Sequence, residues 1–293
     1  MPDQASGISE RQNQPELLAL RVAIFRTFNR LKQVNTVVFY GTLLLAVLTV
    51  VDNLWFHRLP GSLAVVAALI LVMEIIYRLW GQKQLEAGAV LADLYDYRLY
   101  GLPVPTGRTV RHPSITDVMP MAAGVDTTPF RDWYEGLDLF PPALQPLVCQ
   151  LINATWDYQV RVRLSQAALW SAGVYGVGIV ALAAGLNRPF RETAVTLLLP
   201  ALPFLYQLLV LHVESRTSLL NLHGVKNGIE AMLRRADATV SNETLYAHQE
   251  HLFKHRASAF PIPNVIHNRV KGNVATELQL CLEALSSERP SVP

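Results

Sequence analysis

The residues able to do chemistry in this chain of 293 are few and scattered. His248, His251 and His255 recur at i, i+3 and i+7 of one helical stretch, a spacing at which two imidazoles reach one zinc ion. No HExxH order and no carboxylate cluster at metal spacing goes with them, so an ordinary polar helix face is the better reading. Cys149 and Cys281 stand far apart and read as free thiols of a reducing compartment. A nucleophilic Cys149 would need a base that the sequence does not place beside it. The sequence holds no GxSxG, P-loop or GxGxxG pattern. "GVYGVG" at 173–178 lies in an apolar run, where close packing accounts for it. Neither enzymatic activity nor a bound metal or other cofactor is expected.

What remains is a set suited to recognition. Arg131, Trp133, Tyr134, Trp156, Tyr158 and Arg161 offer flat faces for bases and guanidinium groups for phosphates. Asn153, Asp157 and Arg161 lie four apart on one helical face, and Asp157 before Arg161 is the favourable order for an ion pair. From composition alone, an aromatic girdle with a basic flank at the inner leaflet is the stronger reading of these residues. The candidate ligand-binding residues are Arg131, Trp133, Tyr134, Trp156, Asp157 and Arg161. A net charge of +2 is too small to argue for wrapping a DNA or RNA polymer.

The elements that must position these residues are membrane helices. Only 16% of the residues are charged, against about 25% in an average soluble domain, and the mean hydropathy is +0.24. The deficit falls in four apolar runs, 34–54, 60–80, 166–186 and 194–213, each near the roughly 20 residues a span needs. The runs pair into hairpins with short connectors, one around His57 and Arg58 and one at "NRPFRE". Basic residues crowd the long segments: Arg11, Arg21, Arg26, Arg30 and Lys32 sit in the first alone, against Arg58 in one tip and Arg188 and Arg191 in the other. The positive-inside rule therefore predicts a multi-pass membrane protein with both termini cytoplasmic. That orientation cancels the glycosylation patterns at Asn153 and Asn242. The N-terminus shows no apolar signal-peptide core.

The expected fold is an all-α membrane protein: four transmembrane helices in two hairpins, with a helical cytoplasmic domain built from the N-terminal arm, the middle segment and the C-terminal segment. The divisions are 1–33, an amphipathic helix starting near Pro15; 34–80, hairpin 1; 81–165, a helical segment; 166–213, hairpin 2; and 214–293, C-terminal helices. The arm carries Leu17, Leu20, Ile24, Phe28 and Leu31 on one face and Arg21, Arg26 and Arg30 on the other, and is expected to pack on the cytoplasmic domain rather than on lipid. Ser114 and Asp117 read as a capping box. Glu74 reads as an interfacial acid one turn from Arg78. Ala168, Ala172, Gly176 and Ala184 recur at multiples of four, a small-residue stripe for helix packing or for assembly between copies. Pro200 and Pro203 are expected to kink the fourth span and free backbone carbonyls.

Four segments then carry a resemblance. "ISERQNQPELLALRVA", "LADLYDYRLYGLPV", "DWYEGL" and "CQLINATWDYQVRVRL", with "FPIPNVIHNRV" near the end, stand in the order found in the SMODS-associating four-transmembrane effector family, and the resemblance covers nearly the whole chain. It departs at Leu151, where that family usually has Arg, at Thr155 in place of a Trp, and at Val104 in place of an aromatic. The resemblance implies an effector of cyclic-oligonucleotide-based antiphage signalling (CBASS). A cyclic di- or trinucleotide second messenger would bind on the cytoplasmic side, between the middle segment and the C-terminal helices. A homo-oligomer would then assemble and disrupt the lipid bilayer of the bacterial inner membrane as a pore-forming effector. A membrane-anchored scaffold and a constitutive small channel are the alternatives.

Overall fold

The computed structural model describes residues 7–56, 60–105, 112–235, 240–259, 262 and 264–288, and it is all-α, with no strand among them. The helices are α1 (Ile8–Arg11), α2 (Pro15–Val51), α3 (Pro60–Tyr100), α4 (Ile115–Ala122), α5 (Gln145–Gly185), α6 (Phe190–Thr193), α7 (Leu199–Leu233), α8 (Asn242–Ser258) and α9 (Asn264–Ser287). Four helical stretches, Pro15–Trp55, Gly61–Tyr100, Pro142–Gly185 and Phe190–Leu233, are long and apolar enough to cross a membrane. The longest, α3 and α5, have 41 residues, roughly 60 Å at 1.5 Å per residue and about twice the thickness of a bilayer's apolar core.

Each expected span is therefore one half of a longer rod. The divisions at 33/34, 80/81, 165/166 and 213/214 fall inside unbroken helix, and no proline interrupts the chain there. In the apolar halves, Leu44, Val47, Val65, Leu69, Trp170 and Val174 are exposed, as a face turned to lipid should be. The other halves, joined by α1, α4, α8 and α9, bury Leu20, Leu94, Leu147, Leu151, Ile229 and Leu252 in one core. The molecule is thus a helical body at one end and a four-span bundle at the other. The first tip's His57 and Arg58 lie outside the described residues.

The far end of the bundle explains the prolines. Pro200 has no N–H, so the carbonyl of Thr196 loses its helical donor. A π-helical turn at Ala194–Leu198 precedes the prolines, and the Thr196 carbonyl accepts from Asn53 Nδ2 at 2.8 Å. Thr196 Oγ1 donates to Asn53 Oδ1 at 3.1 Å, and Arg188 Nη1 donates to the same oxygen at 3.2 Å. Asn53 itself sits in a second π-helical turn, Asp52–Phe56. Deeper in the bundle, Thr42 Oγ1 donates to Gln207 Oε1 at 2.6 Å, joining spans one and four.

The arm packs inside the body rather than on lipid: Leu17, Leu18, Ala19, Leu20, Val22 and Ala23 are all buried. Its Phe28 ring comes within 2.8 Å of where a Cβ would stand on Gly88, so α2 and α3 approach closely only because that residue is glycine. Ser114 and Asp117 form the reciprocal capping box of α4, and Arg26 donates to the Met121 carbonyl at the end of that helix.

Candidate functional site

The four segments that carry the resemblance meet in the body. Gln12, just after α1, clamps the main chain of Tyr134: its Oε1 accepts from the Tyr134 N–H at 2.9 Å and its Nε2 donates to the Tyr134 carbonyl at 3.3 Å. Asn13 does the same for Asp132, accepting from its N–H at 3.0 Å and donating to its carboxylate at 2.7 Å. Asp132 has φ +47°, a left-handed conformation that costs about 1–3 kcal/mol for a non-glycine residue unless its surroundings hold it. The Asn13 pair supplies that hold. From α5, Asn153 Nδ2 donates to the Tyr134 hydroxyl at 2.9 Å.

The clamped loop presents Trp133 to Arg21 of α2. The Arg21 guanidinium lies between two rings, 4.2 Å from the Tyr95 centroid and 4.2 Å from the Trp133 centroid, with Tyr134 at 5.4 Å. Trp133 is 49% exposed, so it forms the outer wall. The Nε and Nη2 atoms of Arg21, Nε of Arg11 and the hydroxyl of Tyr100 are buried with no hydrogen-bond partner. Cation–π contact offsets about 0.5–2 kcal/mol per ring, less than the several kcal/mol that an uncompensated buried charge costs. Burial pushes the Arg11 guanidinium below its usual value and the Tyr100 and Tyr134 hydroxyls well above theirs.

One layer inward, the charges are matched. Asp93 and Asp96 of α3 are 0% and 1% exposed, one turn apart. Gln249 Nε2 donates to both, at 3.0 and 2.9 Å. Arg256 Nη1 pairs with Asp96 at 2.6 Å and His112 Nε2 with Asp93 Oδ2 at 3.0 Å. Gln150 of α5 donates to Gln249 Oε1 at 3.3 Å and to the Leu245 carbonyl at 2.9 Å. Burial lowers Arg256, but Asp96 outweighs it and holds the guanidinium above its usual value.

The candidate residues read from the sequence fall into two places. Trp133 and Tyr134 belong to the Arg21 site, and Arg131 lies exposed on the same loop. Trp156, Asp157 and Arg161 lie nearer the membrane. There Arg161, 4% exposed, donates to Asp157 Oδ2 at 2.9 Å, and the same oxygen meets His255 Nε2. Burial raises the Asp157 carboxyl, but Arg161 and His255 together hold it well below the carboxylate range. Trp156 packs against Val160, Leu164, Ile262 and Val274. Of the small-residue stripe, Ala168 and Ala172 are buried, Ala172 against Ala46, Phe204 and Leu208, while Gly176 is half-buried and Ala184 exposed.

His255 of the histidine trio is thus engaged by Asp157, and no group of three or more His, Cys, Asp or Glu among the described residues is arranged to hold a metal ion. Cys149 is fully buried, and burial pushes its thiol well above the usual value, which leaves it inert. Sequence reasoning missed Arg11, Arg21, Tyr95, Asp93, Asp96, Gln249 and Arg256. Arg21 had been expected on the outer face of the arm. A visible signal was "LADLYDYRLY", whose two acids stand one turn apart in an otherwise apolar run and so demand buried donors.

A family model described as the SMODS-associating 4TM effector domain matches residues 6–283, nearly the whole chain. No curated protein matches the chain, and no solved structure does.

Proposed function

The chain belongs to the SMODS-associating 4TM effector family, and from that premise we propose that it is a bacterial antiphage effector of cyclic-oligonucleotide-based signalling, gated by its ligand. Its body faces the cytoplasm and receives a cyclic di- or trinucleotide made on infection. The bound form assembles into a homo-oligomer and breaches the inner membrane. The observation that carries this reading is helix continuity: α2, α3, α5 and α7 run from the body into the four spans with no loop between. A ligand that binds one arrangement of the body more tightly than another biases the spans directly. Assembly comes from the family reading; within one copy the spans join through Ala46, Ala172, Phe204 and Leu208 and through the polar pairs Thr42–Gln207 and Asn53–Thr196.

Reconstitution of the purified chain into dye-loaded liposomes, with a panel of cyclic di- and trinucleotides, tests this. Leakage that requires one nucleotide is the expected result. Leakage without any ligand would instead support a constitutive channel. Binding of no nucleotide and no leakage would leave a membrane-anchored scaffold.

A further inference from the structure

Arg21, and beside the same clamped loop Arg11, carry positive charge in the body that no carboxylate among the described residues pairs with. Every other buried charge discussed above has a partner: Arg256 has Asp96, His112 has Asp93, and Arg161 has Asp157. Arg11 and Arg21 form no ion pair among the described residues, and three of their nitrogen atoms, Arg11 Nε, Arg21 Nε and Arg21 Nη2, are buried without an acceptor. The groups around Arg21 are ring faces: Tyr95, Tyr134 and the half-exposed Trp133. Asp96, the carboxylate whose charge acts on Arg21, is already taken by Arg256 and Gln249. Such a set has no use for a cation and is short of an anion.

We propose that Arg21 forms the seat for one phosphate group of an incoming nucleotide, with Trp133 as the movable outer wall whose ring then stacks on a base. This deepens the gating reading above and rests on it for the nucleotide, though not for the phosphate. Arg21 offers two free N–H positions in the fork geometry that matches phosphate oxygens. The Trp133 ring is the one member of the site with open solvent on its far side. Its loop is held by Gln12 and Asn13 through the flanking residues 132 and 134, not through Trp133 itself. The wall therefore swings without releasing the clamp.

The test uses the full chain in detergent with Arg21→Met, and Arg11→Met for comparison, thermal unfolding as one readout and nucleotide binding as the other. Inorganic pyrophosphate and the cyclic nucleotides are the probes. The wild type is expected to be stabilised by pyrophosphate and by one nucleotide, less so at high salt. Arg21→Met is expected to weaken nucleotide binding about 30-fold, the loss of a charge-assisted contact. Without ligand it should unfold at the same temperature as the wild type or higher, because an uncompensated buried charge has gone. A midpoint that falls while nucleotide binding stays normal would make Arg21 a structural cation and overturn the seat. Nucleotide-dependent leakage that survives in both variants overturns the seat and leaves gating standing. Pyrophosphate stabilisation lost in Arg21→Met, with no nucleotide bound by the wild type, upholds the seat and removes gating. A wild type that neither phosphate nor nucleotide stabilises overturns the seat.

Discussion

Asp157→Asn separates a structural role for the Asp157 cluster from a ligand-contacting one. The carboxylate holds Arg161 and His255 on a single oxygen, and both partners are about 5% exposed while Asp157 itself keeps 31%. Removing one member of a fully buried pair costs about 3–5 kcal/mol, and the partial exposure of Asp157 moves the expectation to about 2–3 kcal/mol. For a chain this long that is a fall of about 5 °C in the unfolding midpoint in detergent. Because the folded carboxyl is held below its unfolded value, its contribution is fully present above the unfolded value of about 3.9 and is lost only as pH falls through the lower folded value. The gap between wild type and Asp157→Asn should therefore not shrink between pH 7 and pH 5. A second substitution, Arg161→Met, should cost less in the Asp157→Asn background than alone, with a coupling of about 1–2 kcal/mol. A variant whose midpoint matches the wild type at pH 7, or a pair whose effects simply add, would refute the structural account and return Asp157 to the list of ligand contacts.

Two other substitutions probe the joint between body and bundle. Arg78 Nη1 pairs with Glu214 at 2.6 Å and its Nη2 with Glu74 at 3.2 Å, and Glu74 is 2% exposed. Arg78→Leu should destabilise by about 3 kcal/mol by stranding that acid, and adding Glu74→Gln should recover part of the loss in the same unfolding assay. Cys149 should resist maleimide at pH 7.5 in the folded protein and react fully in denaturant, because it is buried and its thiol is pushed up; mass spectrometry of the labelled chain reads this directly. Labelling of Cys149 in the folded state would mean that the core around Arg11 opens.

The spans were legible because apolar length is a one-dimensional signal, and so was the capping box at Ser114, which needs only two residues at one spacing. The stripe at multiples of four was harder. Each four-residue step overshoots a full turn by about 40°, so Ala184 faces about 160° away from Ala168. The packed line follows the 3.6-residue period instead, through Ala172, Tyr175, Ile179 and Leu182. Arg21 was misplaced for a related reason. It stands one four-residue step from Leu17, only about 40° round the helix, so it lies beside the apolar face of α2 rather than opposite it. The Asp157 cluster shows the limit from the other side. The pairing with Arg161 is local and was read correctly, whereas His255 lies 98 positions away and no spacing reveals it.

The position of the Arg21 site bears on how a ligand would reach the membrane. Its walls come from three of the four rods: Arg21 from α2, Tyr95 from α3 and, through Asn153 and Tyr134, α5. From Arg21 to the start of the first apolar run at Val34 is unbroken helix, about 20 Å at 1.5 Å per residue. From Asn153 to the third run the helix is equally unbroken. An anion drawn between these rods, as proposed above, would change their spacing at one end. The close contact of Phe28 with Gly88 lies between the site and the spans. Since packed interfaces move between discrete arrangements rather than deforming smoothly, the change expected at the far end is a repacking of spans one, two and three. The Asn53 junction, which ties span one to span four, is where such repacking meets its first polar resistance.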